Sequence, residues 1–365
     1  MMHALAWSGG ARALPGTCRQ EDATTQNHGR KQALRERERQ QYAGAQPPHR
    51  RGVHVRRVPP AGHFRTGSQL PFAPTCSSCV GCVCSVNTVL TFLSQTGVYG
   101  HTNAELSVKY QSLATPAGWA FAIWGVIFTS EAVYAVAQLL PCLRDSEEVK
   151  RAGPWFVLAC LFQGGWSVAF GFAQIYLSQA LILLILVSLW RMNTALQSVA
   201  CTSPSGFGRY LLLRLPFTIH FGWLTAASAV SVNLTLVATK PSAHATLLTV
   251  ALVSLTAIFL PALVNPSTAR VGSDPGFALT IAWALAGVAA QNRAPIVDAP
   301  EAAPIQSWCP RFVTDALALV AATLCGVVIL SVLVRGLLKA HAHCRARSVS
   351  GAQILSDALI VVPKP

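Results

Sequence analysis

The chain has 365 residues, of which 52% are hydrophobic and only 12% are charged. Soluble domains carry about 25% charged residues, so this composition argues against a soluble enzyme and indicates a membrane protein. The charge is also uneven, because residues 1–70 hold 12 Lys and Arg against 4 Asp and Glu, a net +8 of the total +14. The chain therefore divides into a basic tail and a hydrophobic body.

The first 70 residues lack a hydrophobic pattern, and we predict that they form a disordered basic N-terminal tail. An organelle transit peptide is an alternative, because residues 1–20 contain Arg12 and Arg19 and no acidic residue. The acidic Glu36 and Glu38 count against it, and a misassigned start of the reading frame is a third alternative. The basic runs "RERERQQ" and "HRRGVHVRR" resemble nucleic-acid patches, but we expect no nucleic-acid partner.

A cysteine cluster follows, in which "CSSCVGCVC" places Cys76, Cys79, Cys82 and Cys84 close together. Such spacing is found in zinc and iron–sulfur sites. Here the last spacing is a single residue and no second pair or histidine follows at a useful distance, so we expect no metal. The alternatives are small apolar residues near a helix end or acylated cysteines beside the membrane.

The hydrophobic body consists of long runs with few or no charges. A bilayer crossing needs about 20 mostly apolar residues. The runs are Ala117–Pro141, Ala152–Trp190, Leu215–Thr239, Pro241–Ala269, Pro275–Gln291 and Ala316–Val334. The second run is long enough for two crossings with a turn near Gln174–Ser178, and Thr75–Thr96 is a weaker additional span. Because a membrane-embedded backbone must satisfy its own hydrogen bonds, eight spans predict an all-α, polytopic membrane helix bundle.

Tryptophans recur within these runs. In "TPAGWAFAIWGVIF", Pro116 suits a first helical turn and Trp119 suits the membrane interface, whereas Trp124 lies more than a turn deeper. Further tryptophans occur within or at the ends of the later runs: Trp155, Trp166, Trp190, Trp223 and Trp283. Indoles inside several spans predict an aromatic-lined pocket between helices, with packing alone as the alternative.

Two ionisable residues lie inside predicted spans. Glu131 is a functional candidate because an intramembrane carboxyl group is costly to bury; the alternative is a structural Glu bonded to a neighbouring helix. His220 is expected either to pair with Glu131, to meet a ligand carboxylate, or to act as a structural donor.

Three separated segments resemble the tryptophan-rich sensory protein/translocator protein (TspO/MBR) family. In "GHTNAELSVKYQSLATPAGWAFAIWGVIF", Trp119-Ala-Phe121 matches the family's Trp-x-Phe, while Trp124 comes one residue early and Phe128 replaces the usual Tyr. In "QGGWSVAF", the Trp-Ser and the following Phe match while Gln replaces the family's Asn. "LPFTIHFGWLTAASAVSVN" is similar to the fifth helix of the family.

The resemblance implies a domain order of a core at 75–240, additional transmembrane helices at 241–340, and a C-terminal tail at 341–365. It implies an extended, eight-span member of the family. The family's fifth helix often ends in a sterol-contact pattern that contains Tyr, and "SVNLTLVATKP" has none, so sterol binding is not predicted.

The resemblance also implies binding or movement of flat lipophilic ligands such as tetrapyrroles. The candidate ligand-binding residues are Trp119, Phe121, Trp124, Glu131, Gln163, Trp166, Phe170, His220, Trp223 and Asn233. Among them, Trp124 and Trp166 are expected to share a pocket, with Trp119 near its rim. We predict no catalytic residue, no metal ligand and no cofactor other than a tetrapyrrole ligand.

The expected partners are the lipid membrane and a small lipophilic molecule, with a homodimer left open. The expected location is an integral, multi-pass position in a membrane, with a mitochondrial or plastid membrane among the alternatives. Two other functions stay open: a secondary transporter that uses Glu131, and an enzyme that acts on a bound porphyrin.

Overall fold

The computed structural model describes residues 77–197, 206–238, 244–264, 274–294 and 309–360. All of them belong to the unit that runs from Leu70 to Pro365. The predicted N-terminal tail and Cys76 lie outside the described residues. Within the described ranges the chain forms ten α-helices and no β-strand, which confirms the all-α prediction.

Ten α-helices and one 3-10 turn make up most of the described part of the chain. In chain order they are α1 Ser77–Ser94, α2 Asn103–Lys109, a 3-10 turn at Gly118–Ala122, α3 Ile123–Ala137, α4 Glu147–Gly171, α5 Ile175–Gln197, α6 Gly206–Leu213, α7 Leu215–Ala238, α8 His244–Leu263, α9 Pro275–Arg293 and α10 Arg311–Ile360.

Six helices in the described part are long and apolar enough to cross a membrane. They are Gly118–Ala137, Glu147–Gly171, Ile175–Gln197, Leu215–Ala238, His244–Leu263 and Arg311–Arg345. The remaining two predicted spans are the helices α1 and α9, which are not among these six; α1 contributes a shorter apolar helix, Val80–Ser94. The bundle is therefore polytopic as predicted, with six helices rather than eight that meet this criterion.

Local sequence signals explain where several helices begin. Ser146 caps α4 by accepting a hydrogen bond from the backbone N–H of Val149, and a serine is well suited to that position. Asp274 caps α9 in the same way, and Pro275 occupies its first turn, where its missing N–H is not needed.

The turn between α4 and α5 falls at residues 172–174, slightly before the predicted position, with Ala173 in the left-handed region at φ 53°.

Helix α7 lies at the centre of the bundle and packs against α3, α5, α8 and α9. Small residues allow the closest of these approaches. A Cβ atom placed on Gly222 of α7 would lie only 2.9 Å from the Cβ atom of Thr280 and 3.0 Å from the carbonyl oxygen of Phe277, both on α9. The backbone of α7 at Gly222 therefore lies directly against Thr280 and the Phe277 carbonyl of α9.

Helix α10 continues beyond residue 340, where the sequence suggested that the C-terminal tail begins. It runs to Ile360, so most of the predicted tail is helical, and residues 361–365 lie outside the described residues. It packs mainly against α9 and exposes Leu319, Leu330, Leu333 and Leu337 on its outer face. An outward apolar face of this kind suits contact with lipid.

Candidate ligand-binding site

The bundle contains a cavity with two compartments that share the lining residues Asn103, Ser107, Pro116, Phe121 and Trp124. The outer compartment has a volume of about 600 Å³, and the inner compartment has a volume of about 60 Å³. Ligand pockets in proteins measure roughly 300–1,000 Å³. The outer compartment therefore has room for a small molecule. The inner compartment has room only for one substituent at the edge of such a molecule.

Aromatic rings form much of the wall of both compartments. Trp124 stacks on Phe128 with ring centroids 5.5 Å apart and an interplanar angle of 19°. It also meets Trp223 edge to face at 6.2 Å. Deeper in the cavity, Trp166 stacks on Phe170 at 5.1 Å with an interplanar angle of 11°. These rings offer both faces and edges to a ligand.

Six of the ten candidate residues line the inner compartment. They are Phe121, Trp124, Gln163, Trp166, Phe170 and Trp223. They come from the 3-10 turn, α3, α4 and α7, so side chains more than 100 positions apart in the sequence share one wall. Trp124 and Trp166 lie in the same compartment, where the sequence analysis expected them.

Two candidates lie away from the cavity lining. Trp119 is 47% exposed and packs edge to face against Trp283, with ring centroids 4.8 Å apart. Asn233 is buried, and its side-chain amide donates a hydrogen bond of 2.7 Å to the hydroxyl of Ser254. Asn233 therefore joins α7 to α8 and is placed for packing rather than for contact with a ligand in this cavity.

The two remaining candidates form a buried pair. Glu131 Oε1 lies 2.6 Å from His220 Nδ1, and both side chains are almost completely inaccessible. Within the described residues, Glu131 Oε2 and His220 Nε2 have no hydrogen-bond partner. The Trp124 ring meets the imidazole edge to face at 5.8 Å, so the pair lies beside the aromatic wall without lining either compartment.

The short helix α2 covers the junction between the two compartments, since Asn103 and Ser107 line both. A capping box fixes its start. The Thr102 hydroxyl accepts a hydrogen bond from Glu105 N, and Thr102 N donates one of 2.8 Å to Glu105 Oε2. This backbone hydrogen bond lowers the pKa of the Glu105 carboxyl from its ordinary value of 4.5.

Helix α9 holds the segment that carries the first aromatic residues of the site. The backbone N–H of Ala117 donates a 2.9 Å hydrogen bond to the carbonyl of Gly287. The indole N–H of Trp283 donates one of 2.8 Å to the carbonyl of Ala120. Near the end of α9, the side-chain amide of Asn292 donates one of 2.9 Å to the carbonyl of Leu113. The orientation of the 3-10 turn thus depends on α9.

Helices α8 and α9 also complete the cavity wall. Ile258 of α8 and Ala284 and Val288 of α9 line the inner compartment, although they lie beyond the predicted core at 75–240. The sequence analysis missed them, as it missed Asn103 and Ser107. The sequence holds one local signal that these residues could line a common surface: Ala284 and Val288 are four residues apart and therefore share one face of a helix.

The cysteines of the cluster that the structure describes differ in their exposure to solvent. On α1, Cys82 is exposed and Cys84 is buried, and both are free thiols. Across the described residues, no group of three or more His, Cys, Asp or Glu side chains could hold a metal ion.

Comparison with known proteins agrees with the fold. The family model described as "TSPO-like protein" matches residues 79–334, which is most of the chain. The chain therefore belongs to the TSPO-like protein family and is an integral, multi-pass membrane protein. The match extends beyond residue 240, so the family relationship includes α8, α9 and the first half of α10. No curated protein and no solved structure matches the chain.

Proposed function

We propose that this protein binds flat lipophilic molecules such as tetrapyrroles inside the membrane. The observation that carries the proposal is the cavity whose wall contains Trp124, Trp166, Trp223 and the stacked phenylalanines. Large aromatic side chains give planar apolar molecules a broad contact area. The outer compartment supplies the volume, and the inner compartment receives one edge of the molecule.

A titration of the purified protein with protoporphyrin and with its dimethyl ester tests this function. Binding of either compound should quench tryptophan fluorescence in a saturable way. Replacing Trp124 or Trp166 with Ala should weaken binding by about 1–3 kcal/mol, the scale for one large apolar contact, or roughly five- to 150-fold. Trp119→Ala is the matched control, because Trp119 lies outside the lining, and it should leave the affinity within about twofold.

The variants must be compared at equal helicity, measured by circular dichroism. If Trp124→Ala and Trp166→Ala bind as tightly as the unmodified protein, these indoles only pack helices together. If neither porphyrin quenches fluorescence in a saturable way, the proposed function is wrong.

A second candidate is a secondary transporter, and the buried Glu131–His220 pair is the observation that favours it. Paired ionisable side chains inside a membrane bundle are a common means of carrying protons. Porphyrin uptake into reconstituted vesicles under a pH gradient tests this candidate. Glu131→Gln removes the titratable carboxyl and should abolish the gradient dependence; uptake that stays equally pH-driven in this variant removes Glu131 from the mechanism.

A further inference from the structure

Arg191, near the end of α5, is a cation on the outer surface of the bundle. The Cζ atom of its guanidinium lies 5.4 Å from the centroid of the Trp155 ring on α4. Arg191 is exposed, and across the described residues no carboxylate forms an ion pair with it. Because the face of an indole attracts a cation, Trp155 orients the guanidinium while leaving its hydrogen-bond donors available.

Trp155 and Arg191 lie at the same depth in the bundle. Trp155 is 16 positions before the end of α4 at Gly171, and Arg191 is 16 positions after the start of α5 at Ile175. At a rise of 1.5 Å per residue, both are about 24 Å from the turn that joins the two helices. The hydrocarbon core of a bilayer is about 30 Å thick. The pair is therefore expected close to the opposite membrane–water interface, where the phosphates of the lipids lie.

The surface of α5 that leads to Arg191 is apolar and faces outward. Leu184 and Val187 are 44% and 50% exposed. They precede Arg191 by seven and four positions, so the three side chains share one face of the helix. An acyl chain of a lipid suits this apolar surface, whereas a free phosphate ion gains nothing from it.

Further cations lie on the aqueous side of this pair. Arg151 is one helical turn before Trp155 on α4 and shares its face. The carboxylate of Glu147 lies 3.4 Å from the guanidinium of Arg151 and 3.8 Å from the ammonium of Lys150. With Arg191, three cations therefore surround one carboxylate, which leaves a local charge of +2 (3 − 1). Such a cluster attracts a lipid headgroup with a net negative charge.

We infer that Arg191, Trp155 and Arg151 form a binding site for one phospholipid whose headgroup carries a net negative charge. The phosphate accepts hydrogen bonds from the guanidinium of Arg191, Arg151 adds attraction, and an acyl chain lies along the apolar face of α5. Glu148 does not oppose the phosphate, because Arg209 lies 2.7 Å from its carboxylate. None of the three site residues lines the aromatic cavity, so this inference does not depend on the proposed function.

Native mass spectrometry of the full-length protein in detergent measures the affinity of the first bound lipid. The probes are phosphatidylglycerol and phosphatidylcholine with identical acyl chains, which share the phosphate and differ in net charge. We expect phosphatidylglycerol to bind about fivefold or more tightly, since one basic side chain near the membrane surface contributes about that factor. Raising the ionic strength should reduce the difference. Glycerol 3-phosphate, which has no acyl chain, should not displace the lipid.

Four variants, compared at equal helicity by circular dichroism, test the assigned residues. Arg191→Gln should bring the affinities for the two lipids within about twofold of each other, and Arg191→Lys should keep most of the preference because it keeps the charge. Trp155→Leu should weaken phosphatidylglycerol binding by about two- to fivefold, the scale of an exposed cation–π contact. Arg144→Gln is the matched control. Arg144 is also exposed but pairs with Asp145 at 3.3 Å, and its loss should leave the preference unchanged.

Each result decides for or against the site. A preference for phosphatidylglycerol that is lost in Arg191→Gln and kept in Arg191→Lys and Arg144→Gln supports the inference. Equal binding of both lipids to the unmodified protein overturns it, and so does a preference that Arg191→Gln leaves unchanged or that Arg144→Gln removes equally well. Displacement of the lipid by glycerol 3-phosphate would indicate a site for soluble phosphates and would overturn the assignment to a lipid.

Discussion

The buried pair of Glu131 and His220 allows a prediction about the variant Glu131→Gln. The two side chains are 2.6 Å apart and nearly inaccessible, in a bundle that lies within lipid. A buried polar group that loses its hydrogen-bond partner costs about 1–3 kcal/mol. We therefore expect the hydrogen bond between the two side chains to stabilise the contact between α3 and α7.

The variants Glu131→Gln and Glu131→Ala test this hydrogen bond. Glutamine keeps the shape of the side chain, and its Oε1 accepts a hydrogen bond from His220 Nδ1–H, so we expect a loss of stability below about 1 kcal/mol. Glu131→Ala removes the partner of the imidazole and also leaves a cavity. The hydrogen-bond loss contributes about 1–3 kcal/mol and the cavity adds to it, which gives roughly 3–5 kcal/mol in total.

Thermal unfolding in one detergent, followed by circular dichroism, ranks the variants by stability. The double variant Glu131→Ala with His220→Ala completes a cycle, and we expect a coupling of about 1–3 kcal/mol. If Glu131→Gln destabilises the protein as much as Glu131→Ala does, a retained hydrogen bond to His220 does not preserve stability and the reasoning above is wrong.

Two further predictions concern the segments around the cavity. Gly287→Ala would place a Cβ atom 2.8 Å from that of Ala120 and 3.0 Å from that of Pro116, and we expect it to lower the free energy of unfolding by about 1–3 kcal/mol. Gly326→Ala is the control, because nothing lies within 4 Å of a Cβ atom placed there, and it should not destabilise the protein. Equal melting curves for the two variants would contradict the close approach of α9 to the segment that contains Pro116 and Ala120. Because the folded-state pKa of Glu105 lies below its ordinary 4.5, its stabilisation of α2 is present above that pH and is lost as the pH falls through the lowered pKa. The loss of thermal stability in acid should therefore be smaller for Glu105→Gln than for the unmodified protein. Identical pH profiles of thermal stability would show that the ionised Glu105 does not stabilise α2.

The sequence alone determined the helical architecture. Long uncharged runs can satisfy their backbone hydrogen bonds in lipid only as helices, so the spans follow from composition without any knowledge of their neighbours. The signals at Thr102 with Glu105 and at Asp274 with Pro275 are equally local, because a cap involves residues within one helical turn. The aromatic residues of the site were also visible in the sequence, since Trp124 and Trp166 occur in recognisable motifs.

Only the tertiary structure decided which of these residues face the cavity. Trp119 and Trp124 are five positions apart, yet one packs against Trp283 outside the lining and the other lines both compartments. The direction of each side chain depends on where α9 holds the 3-10 turn, through hydrogen bonds between residues more than 160 positions apart. Glu131 and His220 likewise meet across 89 positions. Contacts of this kind arise from the packing of whole helices against one another, and no local pattern in the sequence encodes which faces will meet.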